Sequence, residues 1–280
     1  MQLIKNIAVI VLGLCIYNGA LAQNDTSVHR KNVFTAGINY QSRLHYFGRT
    51  DSLKSSAVLP TIGFETKPGF YGNANVVLLN NAIHSLQYSG TVGEVGYKFP
   101  ESRNFSGNIF YTHFFYNKSA AIVQSALKYQ TGINLTYNNK IVTFTAGGDA
   151  KFSDKTDFGA TASLDHLFIH VIPNTKNAIA INPSASLYAG TQNFTQTYYQ
   201  QRGIGFINLG QQKVTEDVKK FSVLAYEFSL PVVFVAGKFN ASITGSYVMP
   251  QNLVTVADRP DLTETGKNLF YVSAGVGVRL

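Results

Sequence analysis

The sequence predicts an all-β chain, a transmembrane antiparallel up-and-down β-barrel of about twelve strands, and three observations carry that expectation. Apolar and polar residues alternate with period two from about residue 33 to the C-terminus. The connections between the alternating segments sort into short and long by parity. Beyond the N-terminal leader, no stretch approaches the roughly 20 consecutive apolar residues of a spanning helix. Tyr (16), Phe (20) and Gly (24) are nonetheless abundant, and only 14% of residues are charged. A barrel hides its hydrophobicity from window averages because lipid-facing and lumen-facing residues alternate, and mean hydropathy is indeed near zero.

Taken in order, the strands fall near 33–47, 56–66, 69–81, 87–99, 104–117, 120–137, 140–152, 156–170, 177–190, 220–235, 238–250 and 268–280. The middle segments show the alternation most clearly. In 123–137, Val123, Leu127, Tyr129, Ile133, Leu135 and Tyr137 oppose Gln124, Lys128, Gln130 and Asn134. In 141–152, Val142, Phe144, Ala146 and Phe152 oppose Thr143, Thr145, Asp149 and Lys151. In 239–249, Phe239, Ala241, Ile243, Tyr247 and Met249 oppose Asn240, Ser242, Thr244 and Ser246. Most segments exceed the usual globular strand of about 5–6 residues. They suit tilted strands crossing a bilayer, which need roughly 9–11 residues plus their rims.

Connections 2, 4, 6, 8 and 10 are short: 67–68, 100–103, 138–139, 173–176 and 236–237. The long ones, 48–55, 191–219 and 251–267, are odd-numbered. Short turns on one side and long loops on the other is the outer-membrane pattern, with turns periplasmic and loops outside. An even strand count then places both termini in the periplasm of a bacterial cell.

The N-terminus reads as an export leader. Lys5 supplies the positive charge, residues 7–16 the apolar stretch, and Ala20-Leu21-Ala22 a small-x-small cleavage site. The expected division is therefore a signal peptide over 1–22 and a barrel domain over 23–280, leaving 280 − 22 = 258 residues. Cys15 lies within the leader and follows Leu14 rather than a small residue, so lipidation is not expected. The formal charge of +8 becomes +7 without Lys5. Its Lys and Arg residues are scattered rather than patched, which speaks against nucleic acid and for contact with anionic lipid and lipopolysaccharide headgroups.

The last strand carries the most specific motif. Ser273-Ala274-Gly275-Val276-Gly277-Val278-Arg279-Leu280 resembles the terminal signal of outer-membrane barrels, with Ser273, Gly275, Val278 and Leu280 at the defined positions. The resemblance implies recognition by the barrel-assembly machinery; Leu280 departs from the usual terminal aromatic residue. Ser42-Arg43-Leu44-His45-Tyr46-Phe47-Gly48-Arg49, Pro60, Gly69-Phe70-Tyr71, Gly96-Tyr97-Lys98-Phe99 and residues 111–116 resemble a group of uncharacterised, porin-like outer-membrane β-barrels of Bacteroidota. That likeness covers about half of the chain and implies fold and membrane, without an activity.

If lipid faces are assigned strand by strand, most strand charges fall on the opposite, lumenal face. The positives are Arg43, Lys98, Lys128, Lys151 and Arg279, and the negatives Glu65, Glu94, Asp149, Asp165 and Glu227. Sorting follows from cost, since a Lys or Arg facing lipid at midplane costs roughly 2–4 kcal/mol. Balanced charges fit either a self-neutralising filling or a weakly selective polar pathway. Tyr46, Phe47, Phe114, Phe115 and Tyr116 are expected in an aromatic girdle at the outer ends, and Tyr198 and Tyr199 could stack sugars.

An interfacial lipid-acting enzyme would need an activated serine. His113 and Ser125 are the nearest approach to one, but no orienting partner follows. His166 and His170, i and i+4 on a strand, lie about 13 Å apart, too far to share a metal ion. No cofactor motif is present. The sequence thus points to a non-enzymatic barrel acting as a passive, weakly selective pore for small solutes. A plugged structural or assembly barrel is the alternative.

Overall fold

The computed structural model of the chain describes residues 31–50, 54–83, 85–116, 127–193, 220–253 and 267–280. In chain order the strands are β1 (Val33–Gln41), β2 (His45–Tyr46), β3 (Arg49–Thr50), β4 (Ser56–Glu65), β5 (Phe70–Asn80), β6 (Gln87–Lys98), β7 (Phe105–Tyr116) and β8 (Tyr129–Asn138). There follow β9 (Thr143–Phe152), β10 (Thr156–Asp165), β11 (Phe168–Val171), β12 (Asn177–Ile181), β13 (Ser184–Gly190), β14 (Ser222–Ala236), β15 (Phe239–Pro250) and β16 (Leu269–Arg279).

All except β2 and β3 belong to one antiparallel sheet, and it closes on itself: β1 pairs with β16, and β14 with both β13 and β15. Two staves are each broken in two, β10/β11 at His166-Leu167 and β12/β13 at Asn182-Pro183, so the result is a closed barrel of 12 staves. Pro183 explains its break, because it has no N–H for the ladder; its carbonyl instead accepts from the His166 amide at 3.2 Å. Beyond the breaks, β11 pairs with β12, which passes to β14 and ends with Asn177 opposite Ala236, level with the 237–238 turn.

The walls reverse the sidedness of a soluble protein. Outward positions such as Ile38, Ile62, Val95, Ile133, Ile243 and Val276 are apolar and exposed. Their inward neighbours Asn39, Thr61, Glu94 and Thr112 are polar and buried. Except along the short β11, closure satisfies the wall's ladder without leaving an edge, a condition for backbone in hydrocarbon. The folded protein should accordingly survive detergent without boiling and run faster on a gel unboiled than boiled. Equal mobility of the two samples, for protein shown to be folded, would contradict a closed barrel.

The predicted connections hold their parity. One rim carries 66–69, 99–104, 139–142, 172–176 and 237–238, the last with Gly237 at φ 59. The other carries the longest connections, together with 81–86 and the tight turn at 153–155. The sequence expectation needs three corrections. The first strand ends at Gln41 rather than at 47; in the predicted sixth strand, 120–137, the ladder starts at Tyr129, with Leu127 and Lys128 before it and 120–126 outside the described residues; and two predicted single strands are broken. The first correction has a backbone cause: Phe47 (φ 53) and Gly48 (φ 79) are consecutive left-handed residues. They turn His45–Tyr46 back on Arg49–Thr50 as a primed hairpin.

Candidate functional site: the barrel lumen

After Gln41 the chain leaves the wall, and the β2–β3 hairpin folds inward at the long-connection end. Leu44, Tyr46, Phe47 and Arg49 are at most 3% exposed. Their rings meet the wall and each other: Tyr46 on Phe47 at 4.5 Å, Phe47 on Tyr188 at 5.8 Å and His45 on Tyr271 at 4.5 Å. Around them stands a collar of inward apolar side chains, including Leu59, Val77, Val92, Phe114 and Leu224. Gly48 is required by contact as well as by φ, since a Cβ there would lie 3.0 Å from Pro250.

Arg49 ties the hairpin down. Its Nη2 donates to Gln192 Oε1 at 2.7 Å and to the carbonyls of Gln251 and Asn252 at 3.3 and 3.4 Å; its Nη1 donates to the Phe47 carbonyl at 3.2 Å. Gln192 closes the bridge by donating to the Asn252 carbonyl at 3.1 Å. One buried guanidinium therefore fastens the first connection to the roots of the fifth and sixth connections on that rim.

His45 is held neutral in this setting. Burial lowers its pKa to about 3, and the Gly48 amide donates to its Nδ1 at 3.2 Å, which places the ring proton on Nε2. A released hairpin titrates near the ordinary value of about 6.5. Below that pH the released state therefore binds more protons than the docked one. Docking is at full strength above about pH 6.5 and weakens as pH falls toward 3. Protease nicking within 42–55 should be faster at pH 4.5 than at pH 7.5, and His45→Gln should flatten that difference; a profile unchanged by the variant would contradict it.

Beneath the hairpin the inward surface is polar. Glu94 accepts from Thr112 Oγ1 at 3.0 Å and from the Tyr71 hydroxyl at 3.2 Å, and Asn108 donates to that hydroxyl at 3.0 Å. The Tyr71 ring fits because it lies over Gly96, where a Cβ would come within 2.5 Å of it. Glu227 accepts from the Tyr271 hydroxyl at 2.6 Å and from Ser229 at 3.4 Å, and Ser229 and Ser246 share a bond of 2.8 Å. Asp149 and Lys151, two residues apart on one face of β9, form a fully buried pair at 3.4 Å. Nearer the short-turn rim Lys98 pairs with Glu65 at 2.6 Å.

The predicted lumenal residues thus divide. Glu65, Glu94, Lys98, Asp149, Lys151, Asp165, Glu227 and Arg279 occupy inward register positions, with Asp165 and Arg279 at the strand ends of the short-turn side. Arg43 and Lys128 do not. Arg43 follows the end of β1 and donates to the Ser42 carbonyl at 2.9 Å. Lys128 precedes β8 on the rim, 53% exposed and paired with Asp154 at 2.8 Å, a hydrogen bond that raises its pKa.

The girdle expectation is corrected as well. Even-numbered residues of β7 face inward, so Phe114 and Tyr116 join the apolar interior with Tyr46 and Phe47; Phe115 alone of the five is exposed outside, at 55%. His113 shares that outer face, stacked on Phe115 at 3.9 Å and edge-on to Tyr129 at 4.7 Å. Ser125, Tyr198 and Tyr199 lie outside the described residues. Sequence reasoning missed Arg49, placed in a loop, and Asp157. The latter lies inward and binds Thr191 Oγ1 and the Asn193 amide, both at 2.6 Å. The alternation of β10 could have revealed it.

No protein-family model and no curated protein matches the chain. Among solved structures, it is similar to the KdgM porin at 9% identity and a TM-score of 0.50, over 87% of this chain and 98% of that one. It is equally similar to LpxR from Salmonella typhimurium at 8% identity and a TM-score of 0.50, over 87% and 99%. The NanC porin follows at 12% identity and a TM-score of 0.48, over 88% and 100%. At such identities the likeness concerns the fold alone, and a fold does not by itself fix a function. The chain is a transmembrane β-barrel of the outer-membrane type.

Proposed function

We propose that the chain is a passive outer-membrane channel for small polar solutes, narrowed at its long-connection end by the inward β2–β3 hairpin. One observation carries this: beneath the apolar collar the wall turns a polar surface inward, and several of its amides have no partner among the described residues. Asn39 and Gln130, each 1% exposed, offer both amide atoms unpaired among the described residues. A barrel interior serving only as structural filling would satisfy such groups internally, whereas in a polar pathway water or solute entering the lumen would pair with them. The porin-like fold neighbour is consistent with this function.

A second function, a plugged structural barrel, is favoured by the apolar collar closing on the hairpin. Swelling of liposomes containing the refolded chain separates the two. Entry of small neutral sugars supports the channel, and sugar-tight vesicles with a folded barrel support the plug. The histidine that the sequence offered for an interfacial enzyme, His113, packs against Phe115 and Tyr129 on the outer face.

The sorted turns support an orientation with both termini in the periplasm and the long connections outside. A peptide tag near residue 211 should then be labelled on intact cells and one near residue 175 should not. The reverse pattern would overturn the orientation.

A further inference from the structure

The apolar collar around the hairpin has a polar lower border, and three amide side chains mark it. Asn39 is registered with Leu59 across β1–β4, and Asn75 with Val92 across β5–β6. Gln130 is registered with Thr112, one inward position below Phe114 on β7. Leu59, Val92 and Phe114 all belong to the collar, so the three amides lie at one level relative to it. Counting round the closed sheet from β1, Asn75 stands two staves on and Gln130 five staves on. They therefore face the lumen from one half of its circumference. Thr61, the partner of Asn75, and Thr112, the partner of Gln130, continue the polar border between them.

All three side chains are buried, and none is fully paired among the described residues. Asn39 and Gln130 each leave both amide atoms without a partner there, and Asn75 leaves its Oδ1. Glu94, between Asn75 and Gln130 in stave order, is by contrast engaged by Tyr71 and Thr112. A buried amide is costly unless something pairs with it. A primary amide carries acceptor and donor side by side, so it can accept from one hydroxyl and donate to the next. A monatomic ion answers only one of those two atoms. A trans peptide points its N–H and C=O opposite ways, so it does not answer both either. The collar adds an apolar surface directly above, suited to the C–H face of a ring and not to a charge. An apolar lining with a few polar groups is the usual make-up of a small-molecule site.

We propose that Asn39, Asn75 and Gln130 form a binding station for neutral polyhydroxylated solutes of saccharide type, with solute hydroxyls on the amides and C–H faces on Leu59, Val92 and Phe114. This rests on the channel function proposed above and names its class of cargo. Passage is then saturable, and it favours solutes with adjacent hydroxyls over others of the same size.

The test is tracer uptake into liposomes holding the refolded full chain, with glucose and with tetraethylene glycol, a polyether of similar mass that lacks adjacent hydroxyls. Glucose uptake is expected to saturate with concentration, whereas polyether uptake rises in proportion to it. In N39L/N75L/Q130L the half-saturating glucose concentration should rise about ten-fold or more, as expected when several hydrogen bonds are lost. The variant removes unpaired polar groups and nearly keeps side-chain size, so its urea midpoint in lipid vesicles should be no lower than that of the wild type. A lower midpoint, or failure to fold, would show that the amides hold the barrel together and would overturn the station. The wild-type comparison needs no variant: equal, unsaturable uptake of both solutes overturns the station and leaves the channel standing. Unchanged saturation in the folded variant does the same. A folded wild type that admits neither solute overturns both.

Discussion

Replacing residues 43–54 by a short Gly-Ser connection should raise sugar entry into liposomes several-fold over the intact chain. The segment removed carries Leu44, Tyr46 and Phe47 into the apolar collar and Arg49 onto Gln192, Gln251 and Asn252. None of it belongs to the closed sheet, since β1 passes its ladder to β4 and β16. Excision should therefore leave heat-modifiability intact while widening the mouth. Arg49→Ala should move flux in the same direction by less. It abolishes hydrogen bonds to a charged group, each worth roughly 1.5–3 kcal/mol, but leaves the aromatic contacts of Phe47 and His45 in place. If excision leaves entry unchanged in a folded barrel, the hairpin is not the constriction.

The second large effect lies on the lipid face. Ile133 is in the middle of β8 and points outward, 41% exposed, while its neighbour Asn134 points inward and donates to Asn108 at 3.4 Å. Ile133→Lys sets an ammonium against hydrocarbon and should cost roughly 2–4 kcal/mol in a bilayer. Asn134→Lys makes the same chemical change one residue along, on the polar side, and should cost far less. Urea titration of both variants refolded in lipid vesicles measures the difference. Similar costs at the two positions would mean that the inward and outward faces of β8 are wrongly assigned.

What could be read from the sequence follows from what alternation encodes. Period two reports which residues share a face, so Glu94, Asp149, Lys151 and Glu227 were assigned to the inner face without knowledge of their neighbours. It does not report where a strand stops. The run from Val33 through Phe47 keeps a plausible pattern past Gln41, and only the left-handed pair Phe47-Gly48 ends it. Because Phe-Gly is a weaker hairpin signal than Asn-Gly, the inward hairpin and the role of Arg49 were hidden. The same blindness placed Lys128 in the lumen, one residue before β8 begins. Phe114 and Tyr116 were misread for a different reason. Aromatic residues near a rim suit a girdle, but the parity of β7, legible from Ile109, Tyr111 and Phe115, already put them on the other side. The pairings across the lumen depend on stave order around a closed sheet, which no local pattern contains.

The proposed channel needs a polar pathway that crosses this barrel past the hairpin. Single-channel recording of the refolded wild-type chain in a planar bilayer tests it most directly. Discrete conductance steps, small for the intact chain and larger after excision of residues 43–54, are the expected result. A folded, heat-modifiable protein that stays silent both intact and excised would contradict it, and the lumen would then be filling rather than a path.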